Sequence, residues 1–391
     1  MIFRFIASGF IFLSTLASTQ LIAQSESKTS TQSDKETAET RAIMAQIFSS
    51  LTRVLPKSMN MNDFNKQENR ASISADLKQM SDSSSALIKH AKGYDRSFAF
   101  VAKSMARDLV DINRWYQNDS ASEARYMLHQ LSENCVSCHM KLPDPGHAPK
   151  MEQFFKDVSI ANLSLGEKAK LQVALRQFDD AIKTWEEMFT TLNRPGDIYA
   201  MDALTEYLKV VLRVKQDPDR AIKTLDLINA RADVPKFMVR EVASWKSSLK
   251  KLKPEISKTG NELTRAAKIL KSARQNMDYP MDRSSLVDYI VASTLLNKQL
   301  NTAKSKPNEL SEAYYLLGTT ESLIGRNAWL TQTDFYYESA IRSAPKTKFA
   351  ALAYDALEQQ IILEYSGSSG TSIPEDISSN LKELRNLVRK E

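Results

Sequence analysis

Ala121-Ser122-Glu123-Ala124-Arg125-Tyr126-Met127-Leu128-His129-Gln130-Leu131-Ser132-Glu133-Asn134-Cys135-Val136-Ser137-Cys138-His139 decides how this chain is read. Ala124, Leu128, Leu131, Cys135 and Cys138 recur at +4, +3, +4 and +3, the spacing of one face of an α-helix. Asn118-Asp119-Ser120 supplies a turn and a cap before it. The face ends in Cys135-Val136-Ser137-Cys138-His139, and C-x-x-C-H is the pattern of covalent c-type haem attachment. In that chemistry the two thiols add across the haem vinyl groups and the following imidazole is offered to the iron. Cys135 and Cys138 are the only cysteines in 391 residues, beside four histidines: His90, His129, His139 and His147. A zinc site would require two more Cys or His ligands, for which only His129 and His147 stand near in sequence. A thioredoxin-like pair would require an alternating βαβ context, which the pattern lacks. A plain disulfide is the remaining alternative.

Working outward toward the N-terminus, three further amphipathic segments appear. Ile43, Met44, Ile47, Phe48, Leu51, Val54 and Leu55 fall on one helical face, and Pro56 is expected to end the run. A connection holding Met59, Met61 and Phe64 follows. The second helix carries Ile73, Leu77, Met80, Leu87 and Ile88 and is expected to stop at Gly93. The third spans about 97–116, with Phe98, Val101, Met105, Leu109 and Ile112 inward, and the fourth runs from Ala121 to about Lys141. Four antiparallel helices with short connections make an up-down-up-down bundle. The rhythm of the fourth places Cys135 and Cys138 on its core face, with His139 one turn after Cys135. A haem is therefore expected between the helices, its iron bound by His139.

Residues 37–142 resemble the cytochrome c′ family, which has four helices with the attachment motif near the end of the fourth. The segment from Asn118-Asp119 through Ser132-Glu133-Asn134-Cys135-Val136-Ser137-Cys138-His139 is similar to that family's turn, fourth helix and haem site. Family members often carry an aromatic residue and an arginine soon after the motif, where this chain has Met140-Lys141-Leu142-Pro143. In the family the first helix places either an apolar residue or a methionine over the distal haem face. Met44 resembles the distal methionine in placement, which would give a Met/His iron suited to electron transfer. The other reading of Met44 is a core side chain, because methionine in an apolar stripe is usually packing. Met59, Met61 and the remaining histidines are the further candidates; His90 and His129 sit on long amphipathic helices and read as surface or satisfied groups. The family resemblance also makes a homodimer one of the states to test.

Haem attachment of this kind takes place outside the cytoplasmic membrane, and residues 1–23 fit that compartment. Arg4, an apolar run from Phe5 to Leu16 and the small residue Ala23 read as a cleavable secretory signal peptide. No later stretch approaches the ~18 apolar residues of a spanning helix, so the mature chain is expected to be soluble in a periplasm with no membrane span. Residues 24–36, rich in Ser, Thr and Gln, read as a flexible leader. Only 10 glycines among 391 residues, with abundant Ala, Leu, Lys, Glu and Met, argue for an all-α chain. The net charge of +6 is mildly basic, which favours acidic partners. The charges are mixed along the chain, and no basic stripe interleaved with aromatics suggests nucleic acid.

Pro143-Asp144-Pro145-Gly146-His147-Ala148-Pro149 is a breaker cluster, and 143–150 is expected to be a linker. Beyond it, 151–391 reads as helices in pairs. Ala181-Ile182-Lys183-Thr184 recurs as Ala221-Ile222-Lys223-Thr224, each after an acidic turn, with Pro195 and Pro235 closing the two units. Ala313-Tyr314-Tyr315-Leu316-Leu317-Gly318 and Tyr336-Tyr337-Glu338-Ser339-Ala340-Ile341-Arg342-Ser343-Ala344-Pro345 form a third pair, with extra residues around Trp329 between them. This pair resembles the tetratricopeptide repeat, although the forty-residue spacing departs from the usual thirty-four. An irregular α-helical domain without true repeats is the alternative. Ser366-Gly367-Ser368-Ser369-Gly370 reads as a flexible loop and the last helix, from Pro374, as a cap on the stack.

The expected function is a periplasmic monohaem c-type cytochrome that transfers single electrons and docks redox partner proteins through its helical repeats. One alternative is a five-coordinate haem that senses or carries nitric oxide or another small gas. Another is a scaffold in which haem only stabilises the fold. No acid/base constellation or second metal site points to an enzyme.

Overall fold

A computed structural model describes residues 38–391 except 59, 91–95, 140–162, 192–197, 278–281, 301–304, 326–331, 369 and 390–391. At 90, 96–99, 130, 132–139, 198–200 and 332 it describes the backbone alone. The expected signal peptide 1–23, leader 24–36, linker 143–150, Met59, Gly93, His147, Pro195 and the insert at Trp329 lie outside the described residues.

The protein is all-α. The N-terminal part contains α1 (38–58), α2 (Met61–Asn65), α3 (Gln67–His90), α4 (Arg96–Gln117) and α5 (Ala121–His139). One apolar core joins α1, α3, α4 and α5 through Ile47, Leu51, Val54, Leu77, Met80, Met105, Leu109, Ile112, Leu128 and Leu131. Polar pairs fix how these helices run. Gln46 meets Ser83, Arg53 meets Asp76 and Lys57 meets Ser72. As one number rises the other falls by the same amount, so α1 and α3 are antiparallel. Arg70 at the start of α3 reaches the Gln117 carbonyl at the end of α4, and its guanidinium pairs with Asp119 at 2.6 Å. Those contacts make α3 and α4 antiparallel too.

Two local readings need correction. Pro56 does not end α1, which continues to Ser58. Proline removes only its own N–H, and the last turn is held from outside. The Ser58 hydroxyl donates to the Leu55 carbonyl at 2.6 Å, while the Arg125 guanidinium on α5 donates to the Ser58 carbonyl. A cation on a helix's final carbonyls also opposes the negative end of its dipole. The connection at 59–64 contains the one-turn helix α2, capped by the Asn60 side chain, with Phe64 fully buried.

The second part runs through α6 (Leu165–Ala174), α7 (Phe178–Thr191), α8 (Ile198–Lys209), a π-turn (Val210–Val214), α9 (Pro218–Asn229), α10 (Lys236–Ser257), α11 (Glu262–Gln275), α12 (Leu286–Leu300), α13 (Pro307–Ile324), α14 (Gln332–Ser343), α15 (Lys348–Glu364) and α16 (Glu375–Arg389). Helices adjacent in sequence pack on one another, most extensively α6 with α7, and α11 through α15 in succession. The two copies of Ala-Ile-Lys-Thr occupy the same place on α7 and α9, which start forty residues apart, with Ala181, Thr184, Ala221 and Thr224 all buried. The turns before them also match. Arg176 and Gln216, again forty apart, both take left-handed backbone, with φ of 62° and 52°. At the α13–α14 crossing a Cβ on Gly318 would stand 2.7 Å from the Tyr337 ring, so these helices approach as closely as they do because residue 318 has no side chain. The stretch read as a flexible loop forms a short antiparallel ladder, Ser366 opposite Thr371 and Gly367 opposite Gly370. Gly370, at φ +104°, supplies its turn. The last helix, α16, packs against α14 and α15 through Leu381 and Leu384.

The two parts share more than a connection. Leu171, Ala174 and Leu175 of α6 belong to the N-terminal core, and α5 packs on α6. Near the other end of the stack, α14 packs on α4. Two helices far apart in the stack thus touch the same neighbouring pair, so the stack bends around α4 and α5. Among the described residues no helix is long and apolar enough to cross a membrane.

Candidate functional site at the end of helix α5

Helix α5 begins after a turn in which Asp119 takes φ 60°, with Glu123 in the first turn where a negative charge suits the helix dipole. Ala124, Leu128 and Leu131 are buried, as their spacing predicts. The backbone stays helical through His139, so positions 135 and 138 continue the same register at +4 and +3. The side chains of Cys135, Cys138 and His139 lie outside the described residues.

The neighbouring helices define what stands level with them. Ser58 of α1 meets α5 at Arg125 and His129, and the two helices run antiparallel. Met44 lies fourteen residues before Ser58, about 21 Å along the axis, which sets it at or past the His139 end of α5. Met44 is half-buried and packs against the N-terminal core. On α4, the three-residue turn 118–120 pairs residues equally distant from it, so 100–102 stand level with 136–138. The described side chains of the apolar core near that level are Ile47, Phe48, Leu87, Ala102 and Met105, all buried. This end of the core is mostly aliphatic, with one aromatic ring and methionine beside it.

The opposite end differs. Phe64 and Tyr116 rings meet at 4.9 Å, and the Tyr116 hydroxyl donates to the Phe64 carbonyl at 3.0 Å. Helix α2, with Met61, sits there, roughly 25 Å along α5 from position 139. That distance removes Met61 as an iron ligand. His129 is also remote from His139, by ten residues or about 15 Å of helix. Its Nε2 lies 3.0 Å from the Ser58 hydroxyl, and burial, reinforced by the Arg125 charge, holds the imidazole below the ordinary histidine range. His129 is thus a satisfied histidine that helps close α1. The His90 side chain lies outside the described residues.

Polar groups in the stack join helix to helix. The Arg220 guanidinium forks onto the Glu186 carboxylate at 2.8 and 2.9 Å, and the Tyr207 hydroxyl lies 2.6 Å from Thr224 and 3.1 Å from Glu186. Burial alone would raise the Glu186 carboxyl, but Arg220, Tyr207 and Thr224 outweigh it and hold the group below the usual carboxylate range. Arg213, on the π-turn, bonds Ser293 and Glu321, and Ser293 in turn donates to Glu321. These bonds cross α7, α8, α9, α12 and α13, and an arginine pairs the carboxylate in each, Arg220 with Glu186 and Arg213 with Glu321. Sequence reading missed these pairs, since partners 34 and 108 residues apart leave no local signal. Among the described side chains, which do not include those of Cys135, Cys138 or His139, no group of three or more His, Cys, Asp or Glu could hold a metal ion.

No family model, no curated protein and no solved structure matches this chain.

Proposed function

We propose that this protein is a periplasmic monohaem c-type cytochrome: an up-down-up-down bundle of the cytochrome c′ kind, over 37–142, joined to a tetratricopeptide-like stack that docks a redox partner. One observation carries the reading. The C-x-x-C-H motif lies on continuous helix whose core-facing register it extends, toward the end of the core at which Met44 lies. The donor set fits the group, since thiols three residues apart and an adjacent imidazole match two vinyl carbons and one axial iron position. Haem, when bound, supplies an iron that gains or loses one electron. Cys135 and Cys138 would hold the macrocycle by thioether bonds, and His139 would supply the proximal nitrogen. Ile47, Phe48, Leu87, Ala102 and Met105 would keep water from it, which favours the less charged oxidation state. A Met44 thioether on the opposite side would raise the reduction potential.

A second reading is a binder of nitric oxide or another small gas. It is favoured by the level of Met44, at or past the His139 end of α5, where the thioether would fall short of the iron and leave the distal side open. Spectra separate the two, because Met/His ligation is low-spin whereas an open site is high-spin and binds nitric oxide quickly. Met44→Ala is expected to convert the first spectrum into the second, and an unchanged spectrum would remove Met44 as ligand. Mass spectrometry of the denatured chain, matured where c-type haem is attached, tests the proposal itself. Covalent haem is expected on the native sequence and none on the Cys135→Ser, Cys138→Ser double variant. A native chain without it would sink the proposal.

A further inference from the structure

We infer that Phe335, on helix α14 of the stack, is a positioning residue for the haem end of the N-terminal core, acting through Phe100 of α4. The inference rests on the haem reading above. Phe100 lies seventeen residues before the end of α4, and position 138 lies seventeen after the start of α5. The short turn between these helices therefore sets the Phe100 backbone level with Cys138. The Phe100 ring stacks on Phe335 with centroids 4.9 Å apart and planes 27° from parallel. It is the direct ring contact between the two parts among the described residues, and it falls at the level of the motif.

Phe335 is itself held from behind. Tyr314 of α13 meets it edge-on at 6.2 Å and Tyr336 packs at 5.6 Å, while the two tyrosine rings lie 6.4 Å apart. Next to Phe335, the Asp334 carboxylate accepts from the Gln360 amide at 2.7 Å, tying the start of α14 to α15. Gly318 brings α13 and α14 close enough for this cluster to form. The stack thus presents a braced ring to α4 rather than a mobile one. Burial, with the charges of Glu364, Asp376 and Asp334, pushes the Tyr365 hydroxyl up, opposed by the charge of Arg107, seven residues after Phe100 on α4.

On its other side α4 buries Ala102 and Met105 in the N-terminal core, at 3% and 4% exposure. These residues occupy the turn next to Phe100, so pressure on the Phe100 ring sets how closely they approach the motif. A packed interior transmits such a displacement because it has few voids to absorb it. The stack therefore fixes one wall of the haem site, which makes ligand access at the iron depend on a residue nearly two hundred positions from His139 in sequence.

The test uses the full-length holoprotein with Phe335→Ala, the conservative Phe335→Tyr, and Phe349→Ala, which removes a stack ring packed on Tyr315. Amide exchange at 100–106 is expected to quicken roughly 5- to 10-fold in Phe335→Ala, in line with loss of a packed aromatic pair. The carbon monoxide association rate of the ferrous protein should change with it. Phe335→Tyr should restore both, and Phe349→Ala should alter neither. The inference is overturned if Phe335→Ala leaves α4 exchange and the association rate unchanged on a chain that carries haem, or if Phe349→Ala produces the same changes. A chain that never acquires covalent haem fails at the earlier step, visible by mass alone, and removes the inference together with the haem reading.

Discussion

At the end of the N-terminal core that carries the C-x-x-C-H motif the buried side chains are Ile47, Phe48, Leu87, Ala102 and Met105, whereas the largest wholly buried side chains of the stack include Trp185, Trp245, Tyr207, Tyr289 and Tyr336. The first set is mostly aliphatic and has no polar handle. The second is rigid and directional: Trp245 donates to the Arg283 carbonyl at 2.7 Å, and Trp185 and Phe189 both meet Tyr207 edge-on. Aromatic rings gain from fixed mutual geometry, while methionine and leucine tolerate rearrangement. A stack built by repeated helix crossings needs each crossing defined.

The sharpest contrast should come from truncating the stack's largest side chain. Trp185→Ala is expected to cost about 3–5 kcal/mol, whereas Met105→Leu at the motif end of the N-terminal core should cost less than about 1.5 kcal/mol. Urea unfolding followed by amide exchange in each part reads both. Comparable losses would break the distinction. Next in size is Gly318→Ala. Its Cβ would enter the Tyr337 ring, and the strain, about 1–3 kcal/mol, should outweigh the better helix propensity of alanine. Gly367→Ala, with nothing within 4 Å, should stay within about 0.5 kcal/mol. Tyr116→Phe removes one buried hydrogen bond at the end of the N-terminal core away from the motif and should cost about 1 kcal/mol.

The smallest effects separate the two parts by pH. His129 has a lowered pKa in the folded chain, so the unfolded chain takes up its proton first. Stability of the N-terminal part should therefore fall as pH drops below about 6.5 and level off beneath the folded value. Glu186 is also lowered, but as a carboxylate: its contribution is present above about 4.3 and is lost as pH falls through the folded value. Asp288, raised by burial against an opposing bond from Ser248, has the reverse sign and gains stability on acidification. Exchange protection should decline in α5 at milder acidity than in α7. His129→Gln should abolish the first decline, and Glu186→Gln the second.

Much of the helical layout was legible because helix periodicity is local. The stripes at 43–55, 73–87, 101–112 and 124–131 fall on helices, and the expected ends differ by a few residues where an outside group intervenes. Ser58 shows why. Pro56 weakens the last turn of α1, but Arg125 and His129 hold it from another helix. The forty-residue echo at 181 and 221 was readable as well, since both copies use the same turn and the same buried positions. The one-turn α2 and the π-turn at Val210–Val214 were missed, being too short to establish a period.

The sequence alone determined that the chain is helical, where its long amphipathic segments lie, and that positions 135 and 138 continue one face of the helix ending at His139. Each depends on residues three or four apart, whose relation is set by 3.6 residues per turn. Only the tertiary structure decided that α6 completes the N-terminal core, that Arg213 reaches Glu321, and that Phe335 rests on Phe100 at the level of Cys138. Those pairings follow from how helices cross, and a crossing depends on side chains from two distant segments meeting at once, which no local period records.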